Sequence, residues 1–286
     1  MNFNLYFFKD RSVSIDIQKV FGFFEQIDGC SFEYTDEKVT IIYEERNLNT
    51  KAIFYLTKRL AVPNIYKLNP KYANLNFHVE IDPMIPDFKA LVLFKMMASF
   101  AHTFDLYVYC ELFENILSFK IDTVVAAYTY FKKAYKQLKK EEFENFHYID
   151  KEKCDAIFEY IYEIVRLQLY YKDENIYVPK ISFLASNLTD EVYTAIEWTE
   201  DTKTIFPSFI DFVYYKSGNE VKCVKYKEIK NVGEKYLNEL PGFMKDTKVL
   251  NDSGVKKMKK IMKKAKFNLV NTSAYKLLNE SEIIDV

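Results

Sequence analysis

Leu75-Asn76-Phe77-His78-Val79-Glu80-Ile81-Asp82 alternates apolar and polar side chains, and Pro83 and Pro86 follow at once. A period of two is that of a half-buried strand, and the prolines stop it and open a helix over Asp87–Thr103. That helix leads into 106–112, a segment rich in aromatic and β-branched residues that reads as a second strand. Strand, helix, strand in so few residues predicts an α+β layer with sequential elements packed together.

Working outward, residues 3–8 read as a strand, with Ser14 as N-cap of a helix whose Ile15, Ile17, Val20, Phe21, Phe24 and Ile27 keep helical spacing up to Asp28-Gly29. Segments 31–34 and 38–43 flank Thr35-Asp36-Glu37 as a hairpin, and 52–57 adds a further strand. Region 1–115 is therefore expected to be an antiparallel, ferredoxin-like α+β layer. Region 116–172 carries two helical segments, 122–144 and 151–171, each with an apolar stripe, and reads as a helical hairpin. Region 173–286 reads as a β-meander of 177–185, 192–199, 204–215 and 221–226, with Pro207 at an edge or bulge. Helices over 233–240 and 253–266 close it. The fold class expected is α+β, in three regions that either stay separate or merge into one continuous domain.

Composition excludes several chemistries. The six glycines, Gly22, Gly29, Gly218, Gly233, Gly242 and Gly254, are too scattered in 286 residues to build a phosphate cradle, a dinucleotide fingerprint or a nucleophile elbow. No cofactor is expected. A net charge of −1 gives no global field for nucleic acid or lipid, and only Arg11, Arg46, Arg59 and Arg166 offer a bidentate fork. Four dispersed cysteines, Cys30, Cys110, Cys154 and Cys223, suit reduced cytosolic thiols. The opening Met1-Asn2-Phe3-Asn4-Leu5-Tyr6 lacks a basic leader and reads as a strand, and no apolar run is long enough for a transmembrane segment.

Three sets of residues have the types that catalysis or metal binding needs. His78, Glu80 and Asp82 share the polar face of one strand, imidazole and carboxylates as a divalent cation takes them, but no second ligand cluster accompanies them and a solvated outer face explains them better. Ser99, His102 and Asp105 supply nucleophile, base and carboxylate three apart, a spacing better suited to a polar helix flank than to a converging triad. His147 and Cys154 bracket the turn of the helical hairpin, but Cys154 falls on an apolar stripe. Pairs such as Glu44-Glu45, Glu141-Glu142 and Glu200-Asp201 are what chance provides among 41 acidic residues. None of these is taken as a catalytic or metal site.

The sharpest local signal is Val255-Lys256-Lys257-Met258-Lys259-Lys260-Ile261-Met262-Lys263-Lys264-Ala265-Lys266. Lys256, Lys257, Lys259, Lys260, Lys263 and Lys264 surround an apolar stripe behind an expected Ser253 N-cap. They form a face suited to an acidic protein groove, a phosphate backbone or an anionic surface, although a short helix without arginine or an aromatic anchor is more simply one whose stripe packs on the body while its lysines stay in water. The tyrosine pairs Tyr107/Tyr109, Tyr170/Tyr171 and Tyr214/Tyr215 are candidate protein-contact anchors. The expectation is a soluble, cytosolic, non-enzymatic protein-binding module, adaptor or neutralising. The alternatives are a binder of nucleic acid or anionic surfaces through the lysine helix, and an enzyme without a local motif.

Overall fold

Strand β1 (Phe3–Asp10) lies inside a seven-stranded sheet because its alternate residues Phe3, Leu5 and Phe7 are apolar and fully buried on one face. In chain order it is followed by α1 (Ile17–Glu25), β2 (Cys30–Tyr34), β3 (Lys38–Glu45), β4 (Thr50–Thr57), β5 (Tyr72–Ile81), α2 (Asp87–Thr103), β6 (Tyr107–Tyr109), β7 (Leu117–Ser118) and α3 (Ile121–Leu138). The computed structural model describes residues 1–240 and 246–286, and the chain divides into two units, Met1–Asn145 and Phe146–Val286. The division falls within the segment 116–172 read as a helical hairpin, and it assigns the two helices of that segment to different units. Gly242 lies outside the described residues.

In the first unit the strand order is β2-β3-β4-β5-β1-β6-β7, with every neighbouring pair antiparallel. Because β1 pairs antiparallel with both β5 and β6, those two strands run in the same direction, joined through α2. The strand quoted first is β5, and its alternation conceals an irregularity. Phe7 faces Phe77 but Phe8 faces Asn74, and Asn76 takes a φ of 56°, so the strand bulges there. Rings of Phe7, Phe24, Phe54, Phe77 and Phe100 then meet at centroid distances of 4.9–6.5 Å beneath α2. The α1 N-cap is Asp16, whose carboxylate accepts from the Gln18 N–H, rather than the expected Ser14.

The second unit runs β8 (His147–Ile149), α4 (Lys151–Tyr170), β9 (Ile176–Tyr177), β10 (Ser182–Ser186), β11 (Val192–Thr199), β12 (Lys203–Phe206), β13 (Phe212–Ser217), β14 (Glu220–Lys225), α5 (Tyr226–Gly233), β15 (Leu237–Glu239), β16 (Lys248–Leu250), α6 (Asp252–Lys264), β17 (Tyr275–Leu278) and β18 (Ile283–Asp285). The expected meander does not form. Residues 204–215 break at Pro207: β12 joins the sheet β15-β16-β12-β9, whereas β13 pairs parallel with β11 in the sheet β14-β13-β11-β10-β17. The physical reason is that proline cannot donate to a ladder and interrupts the strand. The chain turns between β11 and β12 at Glu200-Asp201 without the two strands pairing, whereas β13 and β14 form a hairpin with Gly218 at φ 59° between Ser217 and Glu220. The helix expected over 233–240 is displaced: α5 ends at Gly233 and 237–239 form β15.

The architecture is thus mixed α+β, with six α-helices among the described residues and several antiparallel sheets. Among those residues no helix is long and apolar enough to cross a membrane.

Candidate binding surface

Helix α6 starts where Asn251 closes its N-terminus. The Asn251 Oδ1 accepts from the Gly254 N–H at 2.7 Å and from the Ser253 hydroxyl at 2.8 Å, so Ser253 supports the cap rather than forming it. Asn251 is itself held, its N–H donating to the Tyr236 carbonyl at 3.1 Å and its Nδ2 to Asn238 Oδ1 at 3.2 Å. Met258 and Met262 are buried in the core of the unit, with Val255 and Ile261 packed beside them. Gly233 of α5 leaves room for the Met258 thioether: a Cβ there would stand 2.6 Å from the sulfur.

The six lysines singled out in the sequence divide into two groups. At 100° per residue, Lys259 and Lys263 fall on one flank of the buried stripe, and both meet the turn that follows β11. Lys259 Nζ lies 2.5 Å from Asp201 and 3.5 Å from Glu200, and Lys263 Nζ lies 3.3 Å from Glu200. Burial pushes the Glu200 carboxyl up, but hydrogen bonds from Ser217 and Lys263 and the ammonium charges of Lys259 and Lys263 outweigh it and hold the carboxyl below its usual value. The pair Glu200-Asp201, unremarkable in the sequence, meets one flank of a helix that its buried Met258 and Met262 hold in place.

Lys256, Lys257, Lys260 and Lys264 lie on the opposite flank and the solvent pole. All four are exposed, and among the described residues none has a carboxylate partner. Lys256, Lys260 and Lys264 follow i, i+4, i+8 spacing, so like charges stack along one stripe at a cost of about 0.2–0.5 kcal/mol per pair. Exposed Lys225, Lys227 and Lys230 line an open groove of about 410 Å³ at the start of α5, the helix that packs on α6. Sequence reading missed them; the lysines at every second or third place in Lys222-Cys223-Val224-Lys225-Tyr226-Lys227-Glu228-Ile229-Lys230 were the available signal.

The other sequence candidates are placed as follows. His78 lies between the rings of Tyr6 and Tyr55, at 5.7 and 5.1 Å and nearly parallel to both, with Nε2 3.7 Å from Glu80 and Nδ1 buried without a hydrogen-bond partner. Asp82 is not brought to them, since its carboxylate accepts from the Met84 N–H at 2.8 Å. Among the described residues no group of three or more histidine, cysteine or acidic side chains is placed to hold a metal ion. The His102 ring faces the Phe119 carbonyl at 3.5 Å rather than Ser99 or Asp105. Cys154 is buried on the inner face of α4. Glu142 accepts from the Tyr135 hydroxyl at 2.5 Å. Of the tyrosine pairs, Tyr109, Tyr171 and Tyr215 are buried and Tyr170 is well exposed. No protein-family model matches the chain, and no curated protein or solved structure is detectably similar to it.

Proposed function

We propose that the chain is a non-enzymatic binding module, adaptor or neutralising, that docks an acidic protein surface on the lysine face of α6. The observation that carries this reading is the asymmetry of the helix: one flank is tied to Glu200 and Asp201, while Lys256, Lys257, Lys260 and Lys264 stand exposed without carboxylate partners among the described residues. A helix anchored in this way presents its charges without first losing the freedom of the whole segment. A protein partner is favoured over nucleic acid because Arg166 is the sole arginine of residues 146–286, so planar recognition of phosphates and guanine is scarcely provided. Exposed Val232 on α5 adds an apolar contact to the basic surroundings.

The reading includes a cytosolic, soluble protein, supported by the buried thiols of Cys110 and Cys223. It also includes a ferredoxin-like arrangement of the first sheet, supported by β5–α2–β6 enclosing β1.

The test is a fluorescence anisotropy titration of wild type and the quadruple variant K256E/K257E/K260E/K264E against a glutamate-rich peptide and duplex DNA at two salt concentrations. Four exposed ion pairs at about 0.2–1 kcal/mol each predict a loss of about 1–4 kcal/mol for the peptide, fivefold or more. Equal or tighter binding of DNA, falling linearly in log–log salt dependence, would move the reading to the nucleic-acid alternative. An unaltered affinity in the variant refutes both.

A further inference from the structure

Three segments of the second unit build the groove at the start of α5. Lys225 stands opposite Phe212 at the end of the β13–β14 ladder, Lys227 and Lys230 are three apart and so neighbours on the α5 surface, and Ser208 comes from the connection between β12 and β13. None of the lining residues belongs to α6, so the groove is separate from the lysine face of that helix. Its floor is apolar: Ile210, Phe212 and Tyr226 are buried there, and the half-buried Tyr193 ring stacks on Phe212 at 5.1 Å and 19°.

Charge around the groove is one-sided. Asp211 is the one carboxylate in its lining, and the Asp211 Oδ2 already takes Lys153 Nζ at 2.7 Å, the Thr194 N–H at 2.8 Å and the Thr194 hydroxyl at 3.1 Å. Glu228 accepts from the Asn268 N–H at 3.1 Å and Glu191 from the Tyr193 hydroxyl at 2.6 Å, and neither lines the groove. Among the described residues Lys225, Lys227 and Lys230 have no carboxylate partner, and the exposed Ser208 hydroxyl has no hydrogen bond. Lys225 and Lys227 also stand at the positive end of α5, which no side chain caps, an arrangement that costs stability until an anion offsets it.

We infer that this groove binds a phosphate monoester carried on an aromatic ring, the ring on the floor beside Tyr193 and the phosphate among Lys225, Lys227, Lys230 and Ser208. Lysine meets phosphate as a point charge with three donors, so holding a single phosphate needs no arginine fork. A phosphate ester carries about −1.5 to −2 at pH 7 where a carboxylate carries one charge, and its attraction to three ammonium groups grows in proportion. The apolar floor adds contact area that inorganic phosphate cannot use.

The experiment titrates phenyl phosphate, inorganic phosphate and benzoate into the full chain near neutral pH, followed by calorimetry and amide chemical shifts. Phenyl phosphate is expected to bind about tenfold more tightly than benzoate and about fivefold more tightly than inorganic phosphate, with shifts confined to Tyr193, 208–212 and 225–230. Below about pH 6, where the ester loses its second charge, the margin over benzoate should shrink severalfold. K227Q/K230Q, which changes two exposed side chains, should remove most of that margin at neutral pH, whereas K256Q/K257Q/K260Q/K264Q should leave it in place. A phosphotyrosyl peptide that binds more tightly than phenyl phosphate assigns the ester to a protein partner, and one that binds equally or more weakly assigns it to a small molecule. Benzoate or inorganic phosphate binding as tightly as phenyl phosphate, no binding of phenyl phosphate, or indifference to K227Q/K230Q overturns the inference.

Discussion

Replacing Gly254 by alanine puts two opposing effects in direct competition. Gly254 is helical and stands three residues after the Asn251 N-cap, a place where alanine ordinarily stabilises by about 1 kcal/mol. Here a Cβ would lie 2.8 Å from Tyr236 Cβ and 3.0 Å from both the Tyr236 carbonyl oxygen and Asn251 Oδ1. Carbon atoms in contact sit roughly 3.5–4.0 Å apart, so α6 must retreat by about 0.7 Å or more. The two Tyr236 atoms belong to or adjoin the backbone, and the Asn251 Oδ1, though the tip of a side chain, is held by its cap hydrogen bonds. Retreat strains the bond from Asn251 N–H to the Tyr236 carbonyl and weakens the cap, worth about 1 kcal/mol, on top of about 1–3 kcal/mol for overpacking. The sum is a destabilisation of about 1–3 kcal/mol. With a urea slope of about 2 kcal/mol/M, the midpoint should fall by about 0.5–1.5 M. Trp198, the single tryptophan, is buried in the second unit, so its fluorescence reports the relevant transition. Gly22→Ala in α1 is the control: nothing lies within 4 Å of its Cβ, and circular dichroism should show stabilisation of about 0.5–1 kcal/mol. A Gly254→Ala midpoint equal to or above wild type would refute the close-approach argument.

Two other outcomes are expected. Burial lowers the His78 pKa, outweighing the opposing pull of Glu80, and Lys38 adds to the lowering. Below about pH 6.5 the unfolded chain therefore protonates first, and stability falls until native His78 takes its own proton; His78→Gln should flatten this part of a urea midpoint–pH curve, and an unaltered curve would reject the assignment. Lys132 Nζ lies 2.9 Å from Asp87, both side chains nearly buried, so Lys132→Met should cost about 2–4 kcal/mol in chemical denaturation. The double variant K132M/D87L should recover most of that loss, and a double variant as unstable as the single one would show that packing, rather than loss of the ion pair, is responsible.

Local periodicity made much of the first unit legible. The 38–43 and 52–57 strands, α2 and the turn at 35–37 all follow from alternation, proline and short-range turn chemistry, and antiparallel neighbours connected by short loops are the default. In the second unit the strands themselves were visible but their partners were not. The parallel pairings of β11 with β13, β9 with β12 and β8 with β18 join segments whose side-chain patterns specify a buried face without specifying a neighbour. The same holds for α6: lysine content showed a basic helix, but only Glu200 and Asp201, distant in sequence, decide which lysines remain for a partner. The groove at the start of α5 was invisible because Tyr193, Ser208 and Lys227 come from separate segments with no shared motif.

The parallel pairing of β18 with β8 carries a consequence for synthesis on the ribosome. Ile283, Ile284 and Asp285 register with His147, Tyr148 and Ile149, and β17 likewise completes the edge beside β10. Residues 1–145 contain every strand of their own sheet, so this half has all its partners while later codons are still being read. The second half has no such early option: its first strand waits for residues 283–285. Ribosome-stalled chains shortened before residue 275 should leave β8 and the β10 edge unpaired, exposing strand edges that chaperones would have to shield.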